Sequence, residues 1–267
     1  MKRNKKAFTL VELMLAVAFL GTLLLSIALL TMQLINIYTK GATMRAINST
    51  GSSMMRDIRS SIMSSANYPE NLDTKSQDYI WKDQTTATAG MFCTGSYTYV
   101  WNYQQAMMAA HRDPSLTYYY IEIDDTNKTQ AYGFARVKDS GCKRFEALKK
   151  EPTNGTSGNG KISASNEDEV HVLLDGKRSG EGTDLALYDF SVITATRSNK
   201  LSNKGLYDIS FVLGTMRGGV NVTSSSNYCE KSTTSSNASE QSYADTEMNY
   251  CSVNRFEFTV RQSGINL

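Results

Sequence analysis

Residues 7–12 read Ala7-Phe8-Thr9-Leu10-Val11-Glu12, and from Leu13 to Met32 no charged residue occurs across twenty positions. A carboxylate at the head of an apolar run organises the whole chain. Beside the hydrocarbon core of a bilayer a bare carboxylate costs roughly 3 kcal/mol on insertion scales, so Glu12 is a functional-site candidate. The charge around it is one-sided. Lys2, Arg3, Lys5 and Lys6 come before it. The run after it is about 30 Å long as a helix, enough to cross a bilayer once. Basic residues ahead of a span hold that end in the cytoplasm, so the chain beyond Lys40 is expected outside.

Two ordinary explanations fall short. A cleaved secretory signal has a shorter apolar region, about 7–15 residues, ending in a small-x-small site. Thr31-Met32-Gln33-Leu34-Ile35-Asn36-Ile37-Tyr38 offers no such site. A plain signal anchor accounts for everything except Glu12 and the segment after the span. The basic leader, the small Ala7, then Phe8-Thr9-Leu10-Val11-Glu12 and a long apolar helix resemble the class III signal of the type IV pilin and pseudopilin superfamily. In that family a membrane aspartic protease, the prepilin peptidase, cuts before the Phe and methylates the new amino terminus. The resemblance implies cleavage between Ala7 and Phe8 and N-methylation of Phe8, with Ala7 standing where the family usually has Gly. It implies as partners other pilin subunits, met through their amino-terminal helices, the prepilin peptidase, an inner-membrane assembly platform and membrane lipid.

The role that the resemblance gives Glu12 has a physical basis. Cleavage exposes an α-amine on Phe8 in apolar surroundings, where an unpaired positive charge is as costly as an unpaired negative one. Glu12 of one subunit would neutralise the amine of the preceding neighbour as helices stack, setting the register. Glu12 and Phe8 are therefore the expected assembly residues. Uncleaved chain would stay in the membrane as a reservoir.

Cleavage also changes the charge balance. The full chain carries 28 Lys and Arg against 26 Asp and Glu, a net charge of +2. Removing the four basic leader residues leaves 24 against 26, or −2. A basic domain would have favoured nucleic acid as a partner, and the mature chain is not one.

The helix is expected to continue past the membrane. Met44, Ile47, Gly51, Met54 or Met55, Ile58 and Ile62 recur at spacings of three and four, with Arg45, Arg56, Asp57 and Arg59 between them on a solvated face. Pro69 ends the run, because it disfavours helix at Tyr68. A helix from Phe8 to about Ala66 would be roughly 88 Å long, more than one bilayer needs. The resemblance implies that its outer half lies across the β-sheet of a head domain. The segment Met54-Met55-Arg56-Asp57-Ile58-Arg59-Ser60-Ser61-Ile62 also resembles the matching helix of PulJ/PilW-type minor pilins and favours a minor over a major subunit.

Beyond Pro69 the period changes from helical to two. Tyr97, Tyr99, Trp101 and Tyr103 fall on one strand face, as do Tyr132, Phe134 and Arg136, and then Phe256, Phe258 and Val260. Further strands are expected at Leu116–Ile123, Val170–Leu174, Leu185–Thr196 and Leu206–Gly214. Little helix and many strands imply an antiparallel sheet with one face open to water. The expected fold is α+β: a long N-terminal helix, transmembrane then amphipathic, packed on an antiparallel β-sheet head, the pilin fold. The expected parts are a cleaved leader over 1–7, a transmembrane and polymerisation helix over 8–35, an amphipathic helix over 36–67 and a β head over 68–267. Glu151–Asp168 and Thr223–Asn249 are poor in aliphatic residues and read as surface loops.

The cysteines are Cys93, Cys142, Cys229 and Cys251. An even count in an outward-facing domain favours disulfides, with three pairings possible. The pairing expected is Cys93–Cys142 and Cys229–Cys251, the second closing the Ser/Thr-rich loop. A zinc site is disfavoured, since there is no CxxC pair and the histidines are His111 and His171.

Catalytic signals are weak. Gly155-Thr156-Ser157-Gly158-Asn159-Gly160-Lys161 matches the core of a phosphate-binding loop, but Ile162 stands where Ser or Thr would hold magnesium, and no buried strand precedes it. Gly-x-Ser-x-Gly is absent, and two isolated histidines give no nucleophile and base pair. Asp124-Asp125 and Asn166-Glu167-Asp168-Glu169 lack the spacing of a calcium loop. No catalytic residue, cofactor or metal is expected. Fifteen tyrosines could supply a contact face, although a role in filling the sheet core is the plainer reading. The function expected is a structural filament subunit, with a pseudopilin of a secretion or DNA-uptake system and a non-polymerising membrane-anchored adhesin as the alternatives.

Overall fold

Apolar residues at every third and fourth position, with neither Pro nor acid between Leu13 and Gln33, favour one uninterrupted helix at the amino end. A computed structural model of the chain describes residues 9–65, 79–83, 86–111, 118–124, 128–149, 160–164, 169–176, 184–195, 206–215 and 252–261. Helix α1 runs Leu10–Ser64, 55 residues without a break. The chain divides into two compact units, Met1–Thr43 and Met44–Leu267, so the boundary falls within α1.

The second unit holds the last part of α1, from Met44 to Ser64, and the strands. In order these are β1 (Ile80–Lys82), β2 (Ala89–Cys93), β3 (Tyr97–Asn102), α2 (Gln104–His111), β4 (Ile121–Asp124), β5 (Thr129–Ala131) and β6 (Phe134–Lys138). A short 3-10 turn, Ser140–Cys142, leads into α3 (Lys143–Lys149). Then follow β7 (Gly160–Ser163), β8 (Val170–Leu174), β9 (Leu185–Ala195), β10 (Leu206–Thr215) and β11 (Val253–Arg261). They make a five-stranded antiparallel sheet in the order β1-β2-β3-β6-β8 and a three-stranded antiparallel sheet in the order β11-β10-β9. A small third sheet, β5-β4-β7, pairs β4 antiparallel with β5 and parallel with β7. The class is α+β, a long helix followed by antiparallel sheets.

The stripe read from the sequence is the one that is buried. Ile47, Met54, Ile58 and Ile62 are at most 2 % exposed, and they pack with Phe92, Tyr99, Trp101 and Phe134 of the first sheet and Phe190, Tyr207, Phe211 and Phe256 of the second. Burying four such side chains contributes on the order of 6–12 kcal/mol before conformational entropy is counted. Gly51 belongs to this stripe because the ring of Phe256 occupies the place a side chain would take. Rings link the two sheets beneath the helix, Trp101 to Phe190 at 4.6 Å and Phe134 to Phe190 at 5.2 Å, and within the second sheet Phe211 stacks on Phe256 at 5.1 Å.

Three expectations are corrected. The central sheet is not open to water on its other face. Met91, Val100, Ala135 and Val137 there are covered by Ile121 and Ile123 of β4, Ile162 of β7 and Phe145 of α3. The strand expected from Leu116 begins at Ile121, after Tyr118–Tyr120, which belong to no strand. Buried Asn102 ties it to β3, donating through Nδ2 to the carbonyls of Ile121 (2.9 Å) and Tyr132 (2.8 Å) and accepting from the Ile121 amide (2.8 Å). Finally, Asp57 does not lie on a solvated face. Its carboxylate takes Nη1 of Arg136 at 2.7 Å and the hydroxyl of Tyr99 at 2.8 Å, and that guanidinium stacks 4.5 Å from the Tyr97 ring centre.

This ion pair is 15–23 % exposed at its side chains, between the surface and buried limits. Asp57→Ala is expected to lower the unfolding free energy of the detergent-solubilised chain by about 2 kcal/mol, with part of that recovered in Asp57→Ala/Arg136→Met, where no cation is left uncompensated. Urea titration of the parent and the two variants measures it. Burial, reinforced by the nearby Asp57 charge, pushes the Tyr99 hydroxyl well above its ordinary value of 10.0, and burial alone does the same to Tyr188. The folded state then holds these protons more tightly than the unfolded one. Stability is therefore expected to be level below about pH 10 and to fall as pH rises above it, with a shallower fall in Tyr188→Phe, on comparing urea midpoints at pH 9 and pH 11.

Candidate functional site

In the first unit the large apolar side chains from Leu10 to Tyr38 are exposed. Its large apolar residues are between 43 % exposed, at Leu23, and 76 %, at Tyr38. A soluble domain does not leave so much apolar surface in water, and the helix is long and apolar enough to cross a membrane. Its hydroxyls do not break that surface. Thr22 donates to the Phe19 carbonyl (2.9 Å), Ser26 to Thr22 (2.9 Å) and Thr31 to Ile27 (2.8 Å), so each is satisfied within the helix.

Glu12 is the one ionisable side chain between Thr9 and Thr39 except for the phenol of Tyr38. Its amide donates to Thr9 Oγ1 at 3.3 Å, while the Thr9 amide and hydroxyl donate to Glu12 Oε2 at 3.5 and 3.4 Å. This is a capping box: Thr9 is the residue before the first helical position, and Glu12 reaches back to it from the third. The carboxylate also lies at the positive end of the helix dipole. The signal Thr-x-x-Glu was visible in the sequence, but Glu12 drew attention as a charge rather than as half of a cap. Its Oε1 has no partner among the described residues. Ala7 and Phe8, the expected cleavage pair, lie outside the described residues.

In the second unit Cys93 and Cys142 are joined by a disulfide. It fixes the end of β2 to a turn whose backbone is left-handed at Gly141 (φ 72°) and Cys142 (φ 56°). The hairpin between β2 and β3 docks on the same turn, with the Gly141 amide donating to the Gly95 carbonyl and that of Asp139 to Ser96. Asp139, 3 % exposed, accepts from the amides of Arg144 and Phe145 and from the Thr98 hydroxyl, capping α3. Cys229 and Cys251 lie outside the described residues.

The remaining sequence signals come to rest in ordinary structure. Gly160 and Lys161 open strand β7 rather than a helix, so the geometry of a phosphate-binding loop is not met. Asp124 accepts from the Thr129 hydroxyl at 2.6 Å, and no group of three or more metal-ligating side chains occurs among the described residues. His111 lies 3.2 Å from the Ala131 carbonyl, and His171 is exposed on β8. Every described tyrosine of the second unit is buried or half-buried, with Tyr79, Tyr99 and Tyr207 inside the main core.

No family model, curated protein or solved structure matches the chain. The site is therefore read from its own chemistry. A carboxylate with one free oxygen at the end of an apolar helix can accept a cation in a low-dielectric setting, and nothing else described in that unit can.

The Cys93–Cys142 bond closes a separation of 49 residues. In the chain-entropy model such a loop stabilises by about 4 kcal/mol, so Cys93→Ser/Cys142→Ser is expected to lower stability by that order. Urea unfolding of the solubilised chain under non-reducing conditions gives the value.

Proposed function

We propose that the chain is a structural subunit of a type IV pilin-like filament, of the minor class, and that it is matured by removal of residues 1–7. The basic leader lies in the cytoplasm, α1 crosses the membrane, and the strand-rich unit lies outside. A prepilin peptidase cuts between Ala7 and Phe8 and methylates the new amine. The mature chain leaves the bilayer by stacking its helix against those of neighbouring subunits.

One observation carries this reading: Glu12, with an unpartnered oxygen, heads a helix that is apolar all round and otherwise uncharged to Thr39. A plain anchor needs the apolar helix but has no use for a free carboxylate oxygen at its end. A filament subunit does, because each cleavage makes one cation that has to be neutralised away from water. The covered sheet faces and half-buried tyrosines also weigh against an aromatic adhesive face.

Mass spectrometry of the protein from its native host is expected to find an amino terminus at methylated Phe8. Glu12→Ala is expected to insert and be cleaved normally and to fall at least tenfold in sheared filaments; an unchanged filament fraction removes Glu12 from assembly.

A further inference from the structure

The buried stripe of α1 has a counterpart on the opposite side of the helix. Arg45, Ser49, Ser52, Arg56, Arg59 and Met63 follow one another at spacings of four, three, four, three and four. At 3.6 residues per turn they fall within about 80° of arc, face away from Ile47, Met54, Ile58 and Ile62, and rise about 27 Å along the axis. All are exposed except Ser52, which is half-buried, and Met63 leaves 47 % of its surface open.

This ridge is basic and carries no counter-charge. Asp57 is the one acid between Met44 and Ser64, and Arg136 and Tyr99 already hold it. Arg56 donates through Nε to the Ser52 carbonyl of its own helix at 3.3 Å, and the Arg59 guanidinium lies 5.8 Å over the Phe258 ring. Neither contact neutralises a charge, and none of the three arginines has an ion pair among the described residues. The serines between them are short, so a second backbone can approach to the distance of about 8–10 Å at which helices pack.

From this pattern we infer that the ridge docks an amphipathic helix of a different protein, one that carries Asp or Glu at spacings of three and four. A line that alternates steps of three and four is the seam along which two helices stay in contact. The charge selects the occupant. At any stagger, and in either direction, the ridge of a second copy offers arginine, serine or methionine and no acid, so self-pairing sets like charges together. A nucleic acid also accepts arginines, but each strand carries a charge about every 3.4 Å, and three guanidiniums spread along the ridge answer few of them. An acidic helix meets all three. Exposed ion pairs are individually weak, so the ridge chooses among helices already confined to the same membrane rather than capturing one from solution. The inference goes beyond the filament reading and does not depend on it, because an uncleaved chain presents the same ridge.

The test uses the full chain in membranes of its native host. Arg56→Lys and Arg59→Lys keep the charge and add a primary amine, which a water-soluble carbodiimide joins to a carboxylate in direct contact. Mass spectrometry of the linked peptides identifies that carboxylate. The expected link runs from position 56 or 59 to an Asp or Glu of another protein, in a segment with a second acid three or four residues away. Arg45→Glu/Arg56→Glu/Arg59→Glu is expected to keep the parent's urea midpoint and to lose the detergent-extracted complex at least tenfold on native gels. Replacing the linked carboxylate of the partner by lysine is expected to restore that complex. Links only to a second copy of this chain, no link from either position, or a complex unchanged by the triple reversal overturns the inference. So does a complex that nuclease digestion removes. An uncleaved amino terminus counts against the filament reading without touching these results, and a methylated Phe8 with no link does the reverse.

Discussion

The head depends on one constraint, the burial of a narrow stripe of α1 against two sheets at once. Ile47, Gly51, Met54, Ile58 and Ile62 follow one another at spacings of three and four, so they form a single line on the helix. Both sheets present aromatic rings to that line, and the rings also touch one another across the gap between sheets. The helix is thus the shared wall of the core. Without it the first and second sheets would each expose a face of Phe, Tyr and Trp. Gly51 shows how closely the surfaces meet, since the Phe256 ring fills the space that any larger residue would need.

Much of this was legible, for reasons that can be named. The stripe, and the strands at 170–174, 185–195 and 206–215, each combine a clear period with a flank of turn-forming residues, so both type and limits could be read. Asp57 was misread because its partner, Arg136, is 79 residues away and belongs to a strand that local pattern cannot place beside it. Asn102 was invisible for the same reason, as a polar residue in an apolar strand whose purpose is to satisfy the backbone of another element. The parallel pairing of β4 with β7 joins two four-residue strands far apart in sequence, and nothing local specifies it. Once those strands and α3 are present, the second face of the central sheet is covered, and the expectation of a wet face fails.

The candidate site has a different history. Thr9 and Glu12 were both on view in the sequence, where Glu12 was read as a charge. What was missed is that a helix start has needs of its own. The first amides of α1 require acceptors, and a Glu at the third position after a Thr is a standard way to provide one. The disulfide corner is simpler: two buried cysteines, a left-handed turn and a buried Asp139 hold one hairpin.

The hydroxyls of Thr22, Ser26 and Thr31 have a further consequence. Each is turned back onto its own backbone, so between Leu13 and Met32 the helix offers its surroundings no directional bond. Seen down its axis it is nearly a smooth cylinder. Dispersion contacts on such a surface change little as the helix spins, whereas a charge at one end is sensitive to displacement along the axis. A helix built this way is loosely held in azimuth and more strictly held along its axis.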